Sequence, residues 1–382
     1  MAKQKRGILI LTPFYSPNIG GVESHLDDLV AALDEKRYRV FVQTYSPLTT
    51  DNTQYEKEEY LGNSVQINRH KWIGKNLFHK LENHPILDFL YLTPYLFIRS
   101  FFFMITNSKK IETIHAQGLN AGIIGVLLKI VFKKRLLISL HAFYIQIEKN
   151  QLVARLVPLI LNNADFVFAV SNAVINQFKK LKIKKSNIAK YHSWVDINRF
   201  KPMDTKDARN RSGIENRFTI LFVGRLIPIK GVALLIDIAK ELNYVQFVFI
   251  GTGPLDGFLR NSSKEISNVN FLGKIQNIDM PVYYNSADIL CFPSPYEEGL
   301  GRVSMESVAC GIPVVASNLG GISETVNEDI SLLVKPTYEN LKNALIKLYQ
   351  DEVRLKKMSS LCREYALKNY SKNNVNYITK HY

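Results

Sequence analysis

Residues 297–311 read EEGLGRVSMESVACG, and they join a strand to a helix. The preceding ADILCFPSP (287–295) is an apolar run of strand length ending in turn residues, and the following VVAS is a second such run. Val303, Met305, Ser307, Val308 and Ala309 predict a short buried helix that Gly311 and Pro313 stop. The EEGLG loop therefore lies at the carboxyl end of a strand and opens a helix N-terminus. There an α/β sheet presents free N–H groups and the positive end of a helix dipole to anions. Gly299 and Gly301 let the backbone approach a ligand with no Cβ in the way. Glu298 and Glu306 are two carboxylates beside an anion site, and accepting hydrogen bonds from sugar hydroxyls is the task that suits them. A solvated pair of surface glutamates is the plain alternative.

With Leu300 and Val303 between them, these residues resemble the nucleotide-sugar site of the retaining glycosyltransferases of family 4, also called glycosyltransferase group 1. The resemblance implies the GT-B fold: an α/β chain with two Rossmann-like, doubly wound domains facing across a cleft. It also implies that Glu306 holds the nucleotide ribose and that Glu298 lies against the transferred sugar. The N-terminal domain, 1–200, would bind the acceptor and receive a C-terminal helix, 366–382, that crosses back onto it. The second domain, 201–365, would bind the sugar nucleotide.

A chain of 382 residues is long for one core, and 46% apolar residues with 22% charged ones describe a folded protein. The excess of 49 basic over 34 acidic residues, net +15, calls for a polyanionic partner. No zinc spacing or RNA-binding signature is present, so a lipid or phosphate partner is favoured over nucleic acid. Three scattered cysteines, Cys291, Cys310 and Cys362, exclude a disulfide framework and suit a reducing compartment. The opening MAKQKRGILILTPFY breaks at Pro13 and reads as a first strand rather than a signal peptide. This predicts a cytoplasmic protein, with peripheral attachment to the inner face of the plasma membrane left open.

After the opening strand, Gly20 and Gly21 put bare backbone at a strand-to-helix turn, and Val22, Leu26, Leu29, Val30 and Leu33 mark one face of the helix that follows. The resemblance implies that this glycine pair faces the donor diphosphate, with Glu23 and His25 on the first turn near the acceptor. The polar stretch 47–62 reads as loop. Segment 72–107 is dense in aromatics with basic flanks, and 86–106 has the length of a membrane span. Asp88, Pro94 and Arg99 interrupt it, so it predicts one or two helices. Their surface either rests on an anionic membrane or is buried entirely in the core.

TIHAQ, GIIGVLLKIVF and RLLISLHAF then give a βαβ rhythm. A lone histidine at a strand end is usually structural, but SLHAF resembles the family strand whose histidine touches the donor sugar, which implies that role for His141. His115 reads as an orienting residue, and Gln117 stands where the family often has a second histidine. Ser171 sits at a helix start, where capping alone accounts for it; the resemblance adds donor contact. In KYHSWVDINRFKP (190–202), which resembles the family crossover, Ser193-Trp194 replaces the usual Asn-Gly, and this puts a nucleotide contact from that turn in doubt.

A fresh βα series starts near Phe218. Its first loop carries Arg225 and Lys230 in GRL-three-residues-KG, and two cations at a helix start suit a diphosphate. Gly251 and Gly253 invite a dinucleotide reading, but Asp256 occupies the place of the third glycine, so an oxidoreductase is disfavoured. VNFLGKI resembles the family loop whose backbone, around Gly273 and Ile275, meets the nucleobase. The resemblance implies a UDP- or GDP-linked sugar as donor, a glycan or lipid-linked acceptor, and transfer with retention, without metal or other cofactor. In that chemistry Arg225, Lys230 and helix-end amides stabilise the leaving group. A non-catalytic sugar-nucleotide scaffold and a GT-B epimerase are the alternatives. A basic, aromatic first domain points to surface polysaccharide or glycolipid assembly.

Overall fold

The computed structural model describes residues 6–48, 54–74, 77–81, 84–142, 150–179, 181, 183 and 187–382, with Phe78 and His79 described by backbone alone. Parts of the opening basic run, of the 47–62 stretch and of segment 72–107 lie outside these residues. The chain divides into two compact units, one of residues 1–192 with 373–382 and one of 193–372.

The first unit is built on an eight-stranded sheet of order β3-β4-β2-β1-β5-β6-β7-β8. Its strands are β1 Gly7–Leu11, β2 Arg39–Tyr45, β3 Glu58–Leu61, β4 Val65–His70, β5 Thr113–Gln117, β6 Arg135–Leu140, β7 Phe166–Ala169 and β8 Ile188–Lys190. All neighbours run parallel except the β3–β4 pair. The central strand β1, GILIL, is a continuous buried apolar run, as a strand covered on both faces reads, and β7, FVFA, is nearly so. The helices are α1 Gly21–Glu35, α2 Leu77–Leu81, α3 Pro85–Leu92, α4 Pro94–Asn107, α5 Gly118–Phe132, α6 Gln151–Asn162 and α7 Asn172–Lys179. α1 buries Leu26, Leu29, Val30 and Leu33, the face its spacing predicts.

The 47–62 stretch is not loop throughout: Glu58–Leu61 is an edge strand paired antiparallel to β4, with Leu61 opposite Val65. Its polar sequence, EEYL, hid it, because an edge strand need bury little. Among the described residues, segment 72–107 forms three helices, α2, α3 and α4, where one or two were expected, and it is not all core. Leu92, Leu96 and Met104 are buried, whereas Leu90, Phe102 and Ile105 are exposed.

The second unit has a six-stranded parallel sheet of order β11-β10-β9-β12-β13-β14. Its strands are β9 Thr219–Val223, β10 Gln246–Ile250, β11 Val269–Gly273, β12 Ile289–Phe292, β13 Val314–Ser317 and β14 Ser331–Val334. Its helices are α8 Thr205–Ser212, α9 Val232–Glu241, α10 Asp256–Glu265, α11 Met280–Asn285, α12 Arg302–Ala309, α13 Tyr338–Gln350 and α14 Glu352–Asn369. One apolar cluster joins alternate strand residues, Leu221, Val248, Leu290 and Val314, to α12 and α14. The other joins Ile220, Phe247, Ile289 and Val315 to α9 and α13. Period-two alternation thus feeds a helix layer on each face, the doubly wound arrangement. All three cysteines lie in these cores as free thiols.

The boundaries differ from those expected at 200/201 and 365/366. Trp194, Val195 and Phe200 are buried residues of the second unit. Cys362, Ala366 and Tyr370 belong to its core, so α14 ends there. The expected single helix 366–382 is absent among the described residues. A short 3-10 turn and α15, Asn376–Thr379, follow instead, and only residues 373–382 join the first unit, where the Tyr382 hydroxyl meets His115 Nδ1 at 2.7 Å.

Candidate functional site

In the second unit, the loop after β12 and the start of α12 form as the sequence predicts: β12 ends at Phe292, α12 begins at Arg302, and Gly301 precedes it in the left-handed region at φ 79°. On the neighbouring strand β9, the loop carrying Arg225 leads through a 3-10 turn, Pro228–Lys230, to Gly231 and α9. Gly231 has φ +74°, and a Cβ there would lie 2.4 Å from the Pro293 carbonyl oxygen. Only glycine allows that approach. Its consequence is that Lys230 comes against the β12 loop: Nζ is 2.5 Å from Glu298 Oε1. Ser294 Oγ donates to the same carboxylate oxygen at 3.0 Å. The ammonium also lies 5.3 Å from the Phe292 ring centroid. The side chains of Lys230 and Glu298 are 16% and 17% exposed, so the pair is reachable yet largely shielded.

The backbone of Glu298 is fixed as tightly as its carboxylate. Gly321 N–H donates to its carbonyl at 2.8 Å. Gly320, at φ +57°, leaves room that a Cβ would fill, 2.6 Å from Glu298 O and 2.7 Å from Glu298 N. The paired-glycine turn after β13 thus acts as a seat for the EEGLG loop.

Glu306 is placed differently. Its Oε1 accepts from Arg302 Nε at 2.9 Å, its Oε2 from the Tyr284 hydroxyl at 2.9 Å, and both members of the ion pair are buried. Arg302 Nη1 also donates to the Trp194 carbonyl at 3.2 Å. Burial, with the Glu306 carboxylate, raises the Tyr284 hydroxyl well above its ordinary value and keeps it a donor. The two glutamates therefore do not share partners: one pairs with a loop lysine, the other anchors the helix against the crossover turn. Arg302, Tyr284 and Ser294 were not singled out from the sequence. The spacing of Arg302 and Glu306 was a signal, since positions i and i+4 share a helix face.

Of the remaining residues expected to meet a donor in this unit, Gly299 is buried, and Leu300 and Val303 pack partly buried on the core beside α12. Gly273 closes β11 at φ +69°, its carbonyl accepting from Gly251 N–H at 2.8 Å, and Ile275 follows on the core. Arg225 is exposed at the end of β9.

The first unit gathers a separate set. Gly20 caps α1 with an extended backbone, φ 177°, and Gly21 is the first helical residue. His25, one turn on, is buried, with the Tyr191 hydroxyl 3.0 Å from Nε2 and the His141 ring 5.4 Å away. His141 stands just beyond β6, its Nε2 2.7 Å from Gln117 Oε1 at the end of β5. Gln117 thus orients His141 from the neighbouring strand. Burial lowers the His141 pKa to about 4 and, with His141 nearby, that of His115 to about 3, so both rings are neutral at physiological pH. His115 lies between Ser139 Oγ, 2.8 Å from Nε2, and Tyr382. Ser171 is fully buried and accepts from Val174 N–H at 3.2 Å, the cap of α7.

Two family models match successive parts of the chain: Glycosyltransferase Family 4 over residues 19–199 and Glycosyl transferases group 1 over residues 204–368. The chain is 26% identical over 372 residues to an uncharacterized glycosyltransferase of Methanocaldococcus jannaschii, covering 94% of this chain and 93% of that one. It is 24% identical to the GDP-mannose-dependent monoacylated alpha-(1-6)-phosphatidylinositol monomannoside mannosyltransferase of Corynebacterium glutamicum, with 94% and 93% covered. Among solved structures, sucrose-phosphate synthase from Thermosynechococcus elongatus superimposes with a TM-score of 0.81 at 21% identity, covering 98% of both chains. HepE from Anabaena, in complex with UDP and glucose, superimposes at 0.77 and 21%, again over 98% of both. The chain therefore belongs to glycosyltransferase family 4, the group 1 glycosyltransferases, with the GT-B fold of two Rossmann-like domains, and it is a glycosyltransferase that draws on nucleotide sugars.

Proposed function

We propose that the second unit holds a UDP- or GDP-linked sugar and that the chain transfers the sugar, with retention and without a metal ion or other cofactor, to a glycan or lipid-linked acceptor held by the first unit. The observation that carries the reading is the Lys230–Glu298 pair, a shielded cation beside a helix N-terminus with a carboxylate at hand. Departure of a nucleoside diphosphate builds negative charge on the leaving oxygen and positive charge on the sugar. Lys230, Arg225 and the amides at the start of α12 meet the first, and Glu298 meets the second. Glu306 serves the ribose, through acceptor capacity left beyond Arg302 and Tyr284. His141, a neutral ring fixed by Gln117, is suited to hydrogen-bond a sugar hydroxyl. Gly273 and Ile275 face the base.

The mannosyltransferase named above works on a phosphatidylinositol glycoside from GDP-mannose, which supports a lipid-linked acceptor here. Such an acceptor places the protein at the inner face of the plasma membrane, in glycolipid or surface polysaccharide assembly. The test is a thermal-shift titration with UDP, GDP and ADP, because a ligand at a hundred times its Kd stabilises a fold by about 2.7 kcal/mol. One base is expected to stand out. Turnover of the matching sugar nucleotide should then persist in EDTA and keep the anomeric configuration by NMR. No shift with any base, from folded protein, sinks the donor site; EDTA-sensitive or inverting turnover sinks the metal-independent or retaining part.

A further inference from the structure

Three helices of the first unit, α4, α5 and α6, lie side by side: α4 packs on β2 and on α5, α5 on β5, β6 and α6. Each turns apolar residues inward, among them Leu96 and Met104, Ile124 and Leu128, Val157 and Ile160. Each also turns apolar residues outward. Phe102 and Ile105 on α4, Ile130 and Val131 on α5, and Leu156 and Leu159 on α6 are all exposed, Phe102, Ile130 and Leu159 at 64%, 65% and 62%. A helix that is apolar all round has a second apolar surrounding to enter. Exposed apolar side chains on three helices that pack in a row mark an interaction site rather than ordinary exposure.

The charges say what the surrounding is. α4, α5 and α6 contain no acidic residue and three basic ones, Arg99, Lys129 and Arg155. Just past the carboxyl ends of α4 and α5 stand Lys109, Lys110, Lys133, Lys134 and Arg135, all but Lys134 exposed, with two acids nearby, Glu112 and Asp165, of which Asp165 pairs with Lys129 at 2.7 Å. The helical run Pro85–Lys110 is long and apolar enough to cross a membrane by length and composition. Its inward face, however, is committed to the sheet, so it is placed to lie on a bilayer, not through it. A two-fold pairing of this face with a second copy would set like-charged rims together.

We infer that the outward face of α4, α5 and α6 is a docking surface for an anionic lipid bilayer, apolar side chains entering the acyl boundary and the lysine rim meeting the headgroups. This rests on the lipid-linked acceptor reading only for its purpose; its test does not use catalysis. Full-length protein is floated with phosphatidylcholine vesicles with and without phosphatidylglycerol. Binding should require the anionic lipid and weaken in high salt. A Phe102→Ser/Ile130→Ser/Leu159→Ser variant should lose binding by about tenfold or more, since affinity scales with inserted apolar area, while keeping its thermal shift with the nucleotide. A Lys133→Asn/Lys134→Ser variant should lose the preference for anionic lipid and serves if the first variant does not fold. Wild-type protein that fails to float with anionic vesicles, or variants that float as well as it does, overturn the inference. So does a wild-type dimer that the triple variant dissociates, which would assign the face to a second copy. If flotation fails while the nucleotide shift persists, the lipid surface alone is wrong.

Discussion

The Lys230–Glu298 pair allows the donor reading to be tested by a cycle of two substitutions. The ammonium pairs with Glu298 at 2.5 Å, so a diphosphate that meets Lys230 must share or displace that contact. Lys230→Ala then does two things: it removes a cation and bares the Glu298 carboxylate, still held in place by Ser294 and Gly321. Two like unit charges roughly 6–8 Å apart repel by about 2–3 kcal/mol at an effective permittivity near 20, or about thirty- to hundredfold in a binding constant. Losing an electrostatic partner of the transition state costs a further factor of about a hundred or more in turnover. Glu298→Gln in the Lys230→Ala background removes the repulsion without restoring the cation. Calorimetric titration with the nucleoside diphosphate should therefore show strong weakening in Lys230→Ala and recovery of tenfold or more in the double variant. Turnover should stay low in both. Lys230→Ala protein that binds and turns over within a few-fold of wild type, or a double variant that binds no better than the single, would show that the pair is only a surface latch and that the diphosphate lies elsewhere.

Other substitutions separate holding the loop from meeting the ligand. Glu306→Gln leaves the buried Arg302 without its counter-charge and should destabilise the second unit by about 3–5 kcal/mol in denaturant melts. Arg302→Met/Glu306→Met should regain most of that loss without regaining nucleotide binding, and an undiminished melt for Glu306→Gln would contradict the buried pair. Gly320→Ala forces a Cβ onto the Glu298 backbone at a positive φ, so both activity and melting temperature should fall; the left-handed backbone alone costs about 1–2 kcal/mol. Unchanged values for both would dismiss the seat. The first unit should also be acid-labile. His115, His141 and His70 have folded pKa values of about 3, 4 and 4, below the ordinary 6.5, so the unfolded chain binds more protons between those limits. Stability is then fully present above pH 6.5 and lost as pH falls toward 4, by on the order of 3 kcal/mol for each fully buried ring. Melts at pH 7.5, 6 and 5 that coincide would refute it.

What the sequence discloses here depends on how far apart the partners lie along the chain. The loop and helix of 297–311 are one local motif, so their placement at a strand end is legible in fifteen consecutive letters. Arg302 and Glu306 are one helical turn apart and were legible in principle. Lys230 and Glu298 are 68 positions apart, and His25 and Tyr191 are 166 apart. No periodicity joins such residues; only the pairing of β9 with β12, or the return of the chain through β8, does. The missed hairpin is the opposite case. Its signal was local, two short runs around Gly62 at φ +58°, but EEYL has the composition of loop.

Segment 72–107 shows a third limit, and it bears on function. Periodicity reports which residues share a helix face, not which face meets the protein. On α4 both faces are apolar, so core and membrane surface were equally good readings of the same letters. The structure divides them residue by residue: Leu96, Ser100 and Met104 turn in, while Ile98, Phe102 and Ile105 turn out. What makes the outward set more than scattered exposure is that α5 and α6, distant in sequence, bring their own outward apolar residues alongside, with no acid among the three helices. An isolated exposed phenylalanine needs no explanation, whereas three neighbouring helices that leave apolar side chains uncovered, with lysines at the ends of two of them, specify a partner that is both apolar and anionic.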